Sequence, residues 1–161
     1  MLLDTAYIKT PLGIACITGD KNGLQSFVFK EDAEDDIVTT TFPDSLNEAA
    51  TQIAEYFDKK RTQFTLKLNP QGTDFQKRVW EQLLKIPYGK TATYLEMAKN
   101  LGDPKCIRAA ASANGKNPLG IIIPCHRVIG SDGSLTGYAS GLWRKQRLLE
   151  HEGAAIQQRL F

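Results

Sequence analysis

The segment Ile123-Pro124-Cys125-His126-Arg127-Val128 sets a soft nucleophile beside an imidazole at the end of an apolar run. A thiol of ordinary pKa, about 8.5, is only a few per cent thiolate at neutral pH, so a working cysteine needs a base or a positive setting. His126 is the neighbouring base. Adjacent side chains on an extended segment point to opposite sides, so direct contact requires a bend at Pro124, and otherwise a bridging water must carry the proton. A carboxylate holding the imidazole would complete a relay, and Glu152 in His151-Glu152-Gly153 is the candidate from elsewhere in the chain. Taken alone, an acid at a helix end is more often simply solvated, just as a cysteine in apolar surroundings is more often an inert small hydrophobe.

The elements around this segment can be read from their punctuation. Asn117-Pro118 forces an extended entry into Leu119-Gly120-Ile121-Ile122-Ile123, a buried strand or an apolar loop that delivers Cys125. Upstream, Thr73 with Gln76 and Thr93 with Glu96 form capping boxes, each opening a helix; Pro87 stops the first and Gly102 the second. Asp103 and Pro104 then start a helix expected over 104–114, closed by Gly115. Two short helices joined by Leu101-Gly102-Asp103 have the dimensions of a helix-turn-helix. The second of them is poor in bulk, with Arg108 as the lone long cation among alanines. Downstream, Ser131-Asp132-Gly133-Ser134 reads as a turn and Gly137-Tyr138-Ala139-Ser140-Gly141 as a loop. A last helix from Leu142 to His151 turns Leu142, Leu148 and Leu149 inward and stops at Gly153.

Before residue 70 the pattern differs. Tyr7 to Ile17 and Leu24 to Phe29 read as a hairpin around Gly19-Asp20-Lys21-Asn22-Gly23. The acidic run 31–36 reads as a solvated loop or a frayed helix face. Ser45 with Glu48 offers a third capping box, followed by Leu46, Ala49, Ala50, Ile53 and Phe57 at helical spacing. Phe64 to Leu68 alternates like a strand, and Asn69-Pro70-Gln71-Gly72 breaks the chain. The expected class is α+β: a small N-terminal antiparallel sheet with a helix over 1–69, a mainly helical, winged-helix-like domain with the helix-turn-helix over 70–153, and a tail over 154–161.

Composition narrows the function. The 161 residues are 42% hydrophobic and 24% charged, as in ordinary globular proteins. No basic segment followed by an apolar stretch opens the chain, and no run is long enough to span a bilayer, so a soluble cytoplasmic protein without membrane contact is expected. Cys16, Cys106 and Cys125 lack zinc-site or C-x-x-C spacing, and only His126 and His151 could assist; neither metal nor cofactor is expected. Residues 1–68 carry 7 Lys/Arg against 11 Asp/Glu, net −4, whereas 69–161 carry 13 against 7, net +6. The C-terminal half attracts polyanions.

Pro124-Cys125-His126-Arg127-Val128, preceded by Arg108 through Asn117 and followed by Gly137-Tyr138 and His151-Glu152-Gly153, closely resembles the O6-alkylguanine-DNA alkyltransferases over about residues 70–153. The resemblance implies single-use repair of double-stranded DNA: Cys125 takes the alkyl group from O6 of guanine, and from O4 of thymine, after the base is flipped out. It further implies that His126 relays the thiol proton, that Glu152 orients His126, and that Asn117 is a hinge. Tyr94, Val128, Tyr138 and Ala139 would form the base pocket. Arg108 would fill the vacated stack from a helix lying in the minor groove, with Ala109 and Ala110 allowing close approach and Lys105, Ser112, Asn114 and Lys116 near phosphates. A monomer is expected. Ala139 stands where some members carry a serine or a bulkier residue, which leaves the tolerated alkyl size open.

Three other readings compete. A lesion-binding relative without chemistry would replace the nucleophile, and Cys125 argues against it. A helix-turn-helix regulator with a redox-sensing thiol predicts sequence-specific binding. A cysteine hydrolase predicts turnover, for which adjacent Cys125 and His126 are poorly arranged.

Overall fold

In the computed structural model, which describes residues 2–154, the chain forms two compact units, Met1–Gln71 and Gly72–Phe161. The first is a three-stranded antiparallel sheet, β1 (Asp4–Thr10), β2 (Gly13–Asp20) and β3 (Gly23–Phe29), in sequential order, with α1 (Asp44–Phe57) packed on it. Alternate residues of β1 (Ala6, Ile8, Thr10) are buried, as a half-buried strand requires.

Three expectations for this unit are corrected. The stretch Tyr7–Ile17 is two strands, because Pro11 and Leu12 form a tight turn in which Thr10 Oγ1 accepts from Leu12 N and donates to Gly13 O. Proline offers no ladder donor, which suits it to a turn between strands. Ser45 and Glu48 form no capping box: the helix begins after Pro43, Ser45 Oγ donates to Asp4 Oδ2, and Glu48 accepts from Gln52. Phe64–Leu68 is not a strand but an extended segment with one bridge, Leu24 to Leu68. Its backbone is held by a side chain, since buried Gln52 accepts from Thr65 N through Oε1 and donates to Thr65 Oγ1 through Nε2, both at 2.9 Å. Gln52→Leu is therefore expected to cost about 1–3 kcal/mol by orphaning that amide, read as a lowered urea midpoint. The acidic run is exposed and ends in a single 3₁₀ turn, Asp35–Ile37.

The second unit contains α2 (Asp74–Leu83), β4 (Ala92–Thr93), α3 (Tyr94–Asn100), α4 (Ile107–Gly115), β5 (Val128–Ile129) and α5 (Leu142–His151). The chain as a whole is α+β. Both capping boxes in this unit form, with Thr73 and Gln76, and Thr93 and Glu96, bonding reciprocally. Gly102, at φ +98°, makes the turn between α3 and α4. Pro104–Cys106 is a 3₁₀ turn capped by Asp103, so the α-helix starts three residues later than expected. Trp80 is buried in α2, and its Nε1 donates to Ala113 O at 2.9 Å, tying α2 to α4. Leu119–Ile123 resolves as a buried apolar loop, with Ile121 at φ +70°. Ala154, expected in a loose tail, instead packs with Ile129, Leu135 and Leu149; residues 155–161 lie outside the described part. Among the described residues no helix is long and apolar enough to cross a membrane.

Candidate active site

Pro124 bends the chain into a 3₁₀ turn, Cys125–Arg127, and all three of those residues are buried. This turn replaces the extended geometry on which the opposite-sides argument for Cys125 and His126 depends. The turn is reached through the apolar loop, and Asn117 braces that loop at both ends. Its Nδ2 donates to Ile123 O at 2.8 Å, and its Oδ1 accepts from Leu119 N at 2.9 Å. Asn117→Ala removes the acceptor of Leu119 N and leaves Ile123 O with Cys125 N as its donor. It is expected to cost about 2 kcal/mol, within the range for buried unsatisfied groups, and to lower the thermal midpoint measurably.

Glu152, at the C-terminal cap of α5, meets the turn. His126 Nε2 donates to Glu152 Oε2 at 2.8 Å with both side chains fully buried. Because a carboxylate only accepts, Nε2 carries the proton, and in the neutral ring Nδ1 is left as a free lone pair. Among the described residues Nδ1 has no hydrogen-bond partner. Burial lowers the His126 pKa from its ordinary value; Glu152 opposes this, and Arg127 and Lys145 reinforce it. The ring is thus a neutral base at neutral pH.

Arg127 completes the cluster. Its Nε and Nη2 donate to the two oxygens of Glu152 at 2.8 and 2.9 Å, and Nη1 donates to Ile86 O at 2.7 Å. Burial by itself raises the Glu152 pKa, but the bonds and charges of His126 and Arg127 more than reverse it and hold the carboxyl well below its usual range. Burial also pushes the Cys125 thiol up, while the Asn117 amide, Lys145, the backbone and Tyr138 pull it down. The resting sulfur is therefore a thiol, and its ionisation calls for a base.

An open cleft of about 710 Å³ is lined in part by Tyr94, Arg108, Ala111, Asn114, Tyr138 and Ala139, and two of these, Tyr94 and Tyr138, interact electrostatically with Cys125. Tyr94 hydroxyl donates to Thr136 O at 3.4 Å. Ala139 is exposed at the rim, whereas Val128 is fully buried in β5, paired with Ala92. On α4, Arg108, Ala109 and Ser112 are exposed, as are Lys105 before the helix and Lys116 after it. Two of the expected DNA contacts are buried where their neighbours are exposed. Ala110 lies on the face of α4 that packs against α2 and α3. Asn114 is 6% exposed and lines the cleft beside Tyr94.

Two buried cations of the site carry no signal of their own in the sequence: Arg127, inside the Pro124–Val128 motif, and Lys145, fully buried in α5. A cation beside Leu148 and Leu149 in a helix reads as a solvated side chain, and the partners that bury it lie far away in sequence. Among the described residues, no group of three or more His, Cys, Asp or Glu side chains could hold a metal.

The site and fold define a protein that carries one buried thiol on a tight turn, backed by an imidazole and a carboxylate, beside a cleft walled by an alanine-rich helix with exposed cations. Sequence comparison gives that class its family. Residues 74–154 match the DNA binding domain of 6-O-methylguanine DNA methyltransferase, and residues 4–70 match the ribonuclease-like domain of the same family. The chain belongs to the 6-O-methylguanine DNA methyltransferase family. It is 45% identical over 152 residues to the methylated-DNA–protein-cysteine methyltransferase of Methanosarcina acetivorans, covering 92% of this chain and 97% of that one. The crystal structure of the Mycobacterium tuberculosis O6-methylguanine methyltransferase aligns with a TM-score of 0.82 at 40% identity, over 99% of this chain and 98% of that one. The Mycobacterium tuberculosis OGT solved in complex with DNA aligns at 0.81 and 43% identity, over 91% of both chains.

Proposed function

We propose that this chain repairs alkylated double-stranded DNA by moving the alkyl group of O6-alkylguanine, and of O4-alkylthymine, irreversibly onto Cys125. The observation that carries this reading is the buried set Cys125, His126, Glu152 and Arg127 beside the cleft, in a chain of this family. His126 Nδ1 takes the thiol proton through water, and Glu152 balances the imidazolium that forms. The thiolate then attacks the alkyl carbon. The carbon–oxygen bond breaks, and its electron pair leaves with the guanine, which picks up a proton. The thioether is not hydrolysed, so each chain acts once and no cofactor is used.

A base inside a duplex cannot reach a buried sulfur, so the target nucleotide must be flipped into the cleft. Tyr94, Tyr138 and Ala139 would line it, and the Val128 carbonyl would accept from the guanine amino group. The helix-turn-helix of α3 and α4 would place α4 in the minor groove, where small side chains permit close approach, with Arg108 filling the emptied stack. Ala109 is exposed on that helix, and the likewise exposed Lys105, Ser112 and Lys116 would meet phosphates. This binding is independent of sequence and salt-dependent. The protein would act as a monomer in the cytoplasm.

The test is intact mass with peptide mapping after incubation with duplex DNA carrying O6-methylguanine. The expected result is a gain of one methyl group per chain, located on Cys125 and rising no further. Folded, reduced protein that gains nothing would overturn the reading. Arg108→Ala is expected to slow transfer from the duplex much more than transfer from the free alkylated base; equal losses would remove its role in flipping.

A further inference from the structure

The segment that carries Tyr138 and Ala139 has little backbone bonding of its own. It runs between Gly137, at φ +43°, and Gly141, at φ +99°, and its internal backbone bond is Gly141 N to Tyr138 O at 2.9 Å. Such a glycine-flanked loop has no intrinsic reason to hold one shape. Side chains hold it instead. Lys145 Nζ donates to Thr136 O at 2.7 Å and approaches Gly137 O at 3.4 Å, while Arg144 Nη1 donates to Ser140 O at 3.0 Å. Tyr94 reaches the same Thr136 carbonyl, and the Lys145 ammonium lies 5.8 Å from the Tyr94 ring centroid.

Lys145 is 0% exposed, and among the described residues no carboxylate pairs with it. Burying an ammonium without an anion is costly. The groups that act on it are Cys125 and His126 from the 3₁₀ turn, Tyr94 from α3 and the Thr136 and Gly137 carbonyls at the start of the loop; Arg144, next to it on the same helix, is turned to Ser140 O and the Trp143 ring. Glu152, also at the end of that helix, is engaged by His126 and Arg127. The group in this set that becomes an anion during the proposed reaction is Cys125.

We propose that Lys145 is a positioning residue for alkyl transfer: its ammonium ties the carbonyls that begin the pocket loop and stands as counter-charge to the Cys125 thiolate, so one buried cation aligns pocket and nucleophile. This rests on the alkyl-transfer reading above. It also gives the finished reaction a consequence. A methylated Cys125 can no longer ionise, so after transfer the lysine cannot gain the thiolate as its anion. Burial brings the Lys145 pKa down to about 8, and Cys125 works against that fall; methylation removes the opposing influence.

Lys145→Met keeps the length and apolar bulk of the side chain and removes the charge. It is expected to slow transfer from O6-methylguanine duplex by about tenfold, equivalent to roughly one pH unit of thiol ionisation. The pH profile of Cys125 alkylation by iodoacetamide is expected to move alkaline by the same amount, with duplex affinity unchanged. A loss of transfer with an unmoved iodoacetamide profile would reduce Lys145 to a structural part and overturn the proposal. A second measurement uses wild-type protein with ¹⁵N-labelled lysine: the Nζ titration of Lys145 is expected to fall after Cys125 is alkylated by iodoacetamide. An unchanged titration overturns the proposal even if Lys145→Met does not fold. Failure of the wild type to take methyl from DNA would sink the alkyl-transfer reading instead, and the iodoacetamide and titration results would still report the coupling.

Discussion

Replacing Cys125 by serine is expected to abolish methyl transfer while affinity for duplex DNA stays at the wild-type level. The change is one atom, but it removes the only nucleophile on the 3₁₀ turn that His126 can ionise. An alcohol holds its proton far more tightly than a thiol, and a neutral imidazole that burial keeps below its ordinary pKa is too weak a base to remove it. Affinity should survive because the exposed cations Arg108, Lys105 and Lys116 lie on and around α4, whereas Cys125 is enclosed by its own loop. Asn117 and Tyr138, which act on the sulfur, can bond a hydroxyl in its place, so the fold should tolerate the exchange. Single-turnover mass analysis and a duplex-binding titration on the same preparation check both halves. Wild-type protein supplies a control, since partly exposed Cys16 and Cys106 should stay unmodified. Transfer retained by the serine variant would remove Cys125 from the mechanism.

What could be read from the sequence, and what could not, follows the range of the interactions involved. The boxes at Thr73 and Thr93 close over three residues, so their residue types nearly determine them. Ser45 and Glu48 show the same spacing, yet Asp4, far back in the chain, takes the serine hydroxyl, and Gln52 takes the glutamate. Phe64–Leu68 alternates like a strand, but Gln52 offers its amide where a strand partner would be needed. Local pattern was sufficient where bonding is local and failed where a distant side chain intervened.

The same distinction runs through the site. Cys125, His126 and Asn117 were legible because their neighbours form one continuous motif. Glu152 could be named as a partner of His126 but not placed, since a helix-end acid carries no sign of burial, and only the fold brings the two together. Ala110 and Asn114 were assigned to the DNA face as members of an alanine-rich helix; periodicity along α4 turns them inward, and that periodicity is weak where nearly every side chain is small. Arg127 and Lys145 were passed over because buried cations cannot be told from solvated ones by type. Each is buried only by virtue of contacts that the sequence leaves unstated.

Breaking the Glu152 cluster should have the largest effect on stability. Glu152→Ala leaves the buried Arg127 without a carboxylate, held by the Ile86 carbonyl and the face of the Tyr88 ring, and leaves His126 Nε2 without its acceptor. Removing one member of a buried ion pair costs about 3–5 kcal/mol, so the urea midpoint should fall steeply. Arg127→Met combined with Glu152→Gln removes both charges and should cost less than the sum of the single changes, a non-additivity that a double-mutant cycle reads directly. The cluster also sets the response to acid. Glu152 is held below its ordinary value of 4.5, so its contribution is complete above that value and is lost as pH falls toward the folded pKa. His126 is held below 6.5, so as pH drops through 6.5 the unfolded chain binds the proton more readily and stability declines there too. Wild-type stability should therefore fall in two acid steps, and Glu152→Gln should lose the lower one. The same variant tests the chemistry. The glutamine amide oxygen can still accept from Nε2 but carries no charge to balance the imidazolium, and transfer should slow by about 10²-fold, the lower end of what a positioned base supplies. Folded Glu152→Gln protein that transfers methyl at the wild-type rate would show that His126 acts without the carboxylate, and would confine Glu152 to stability.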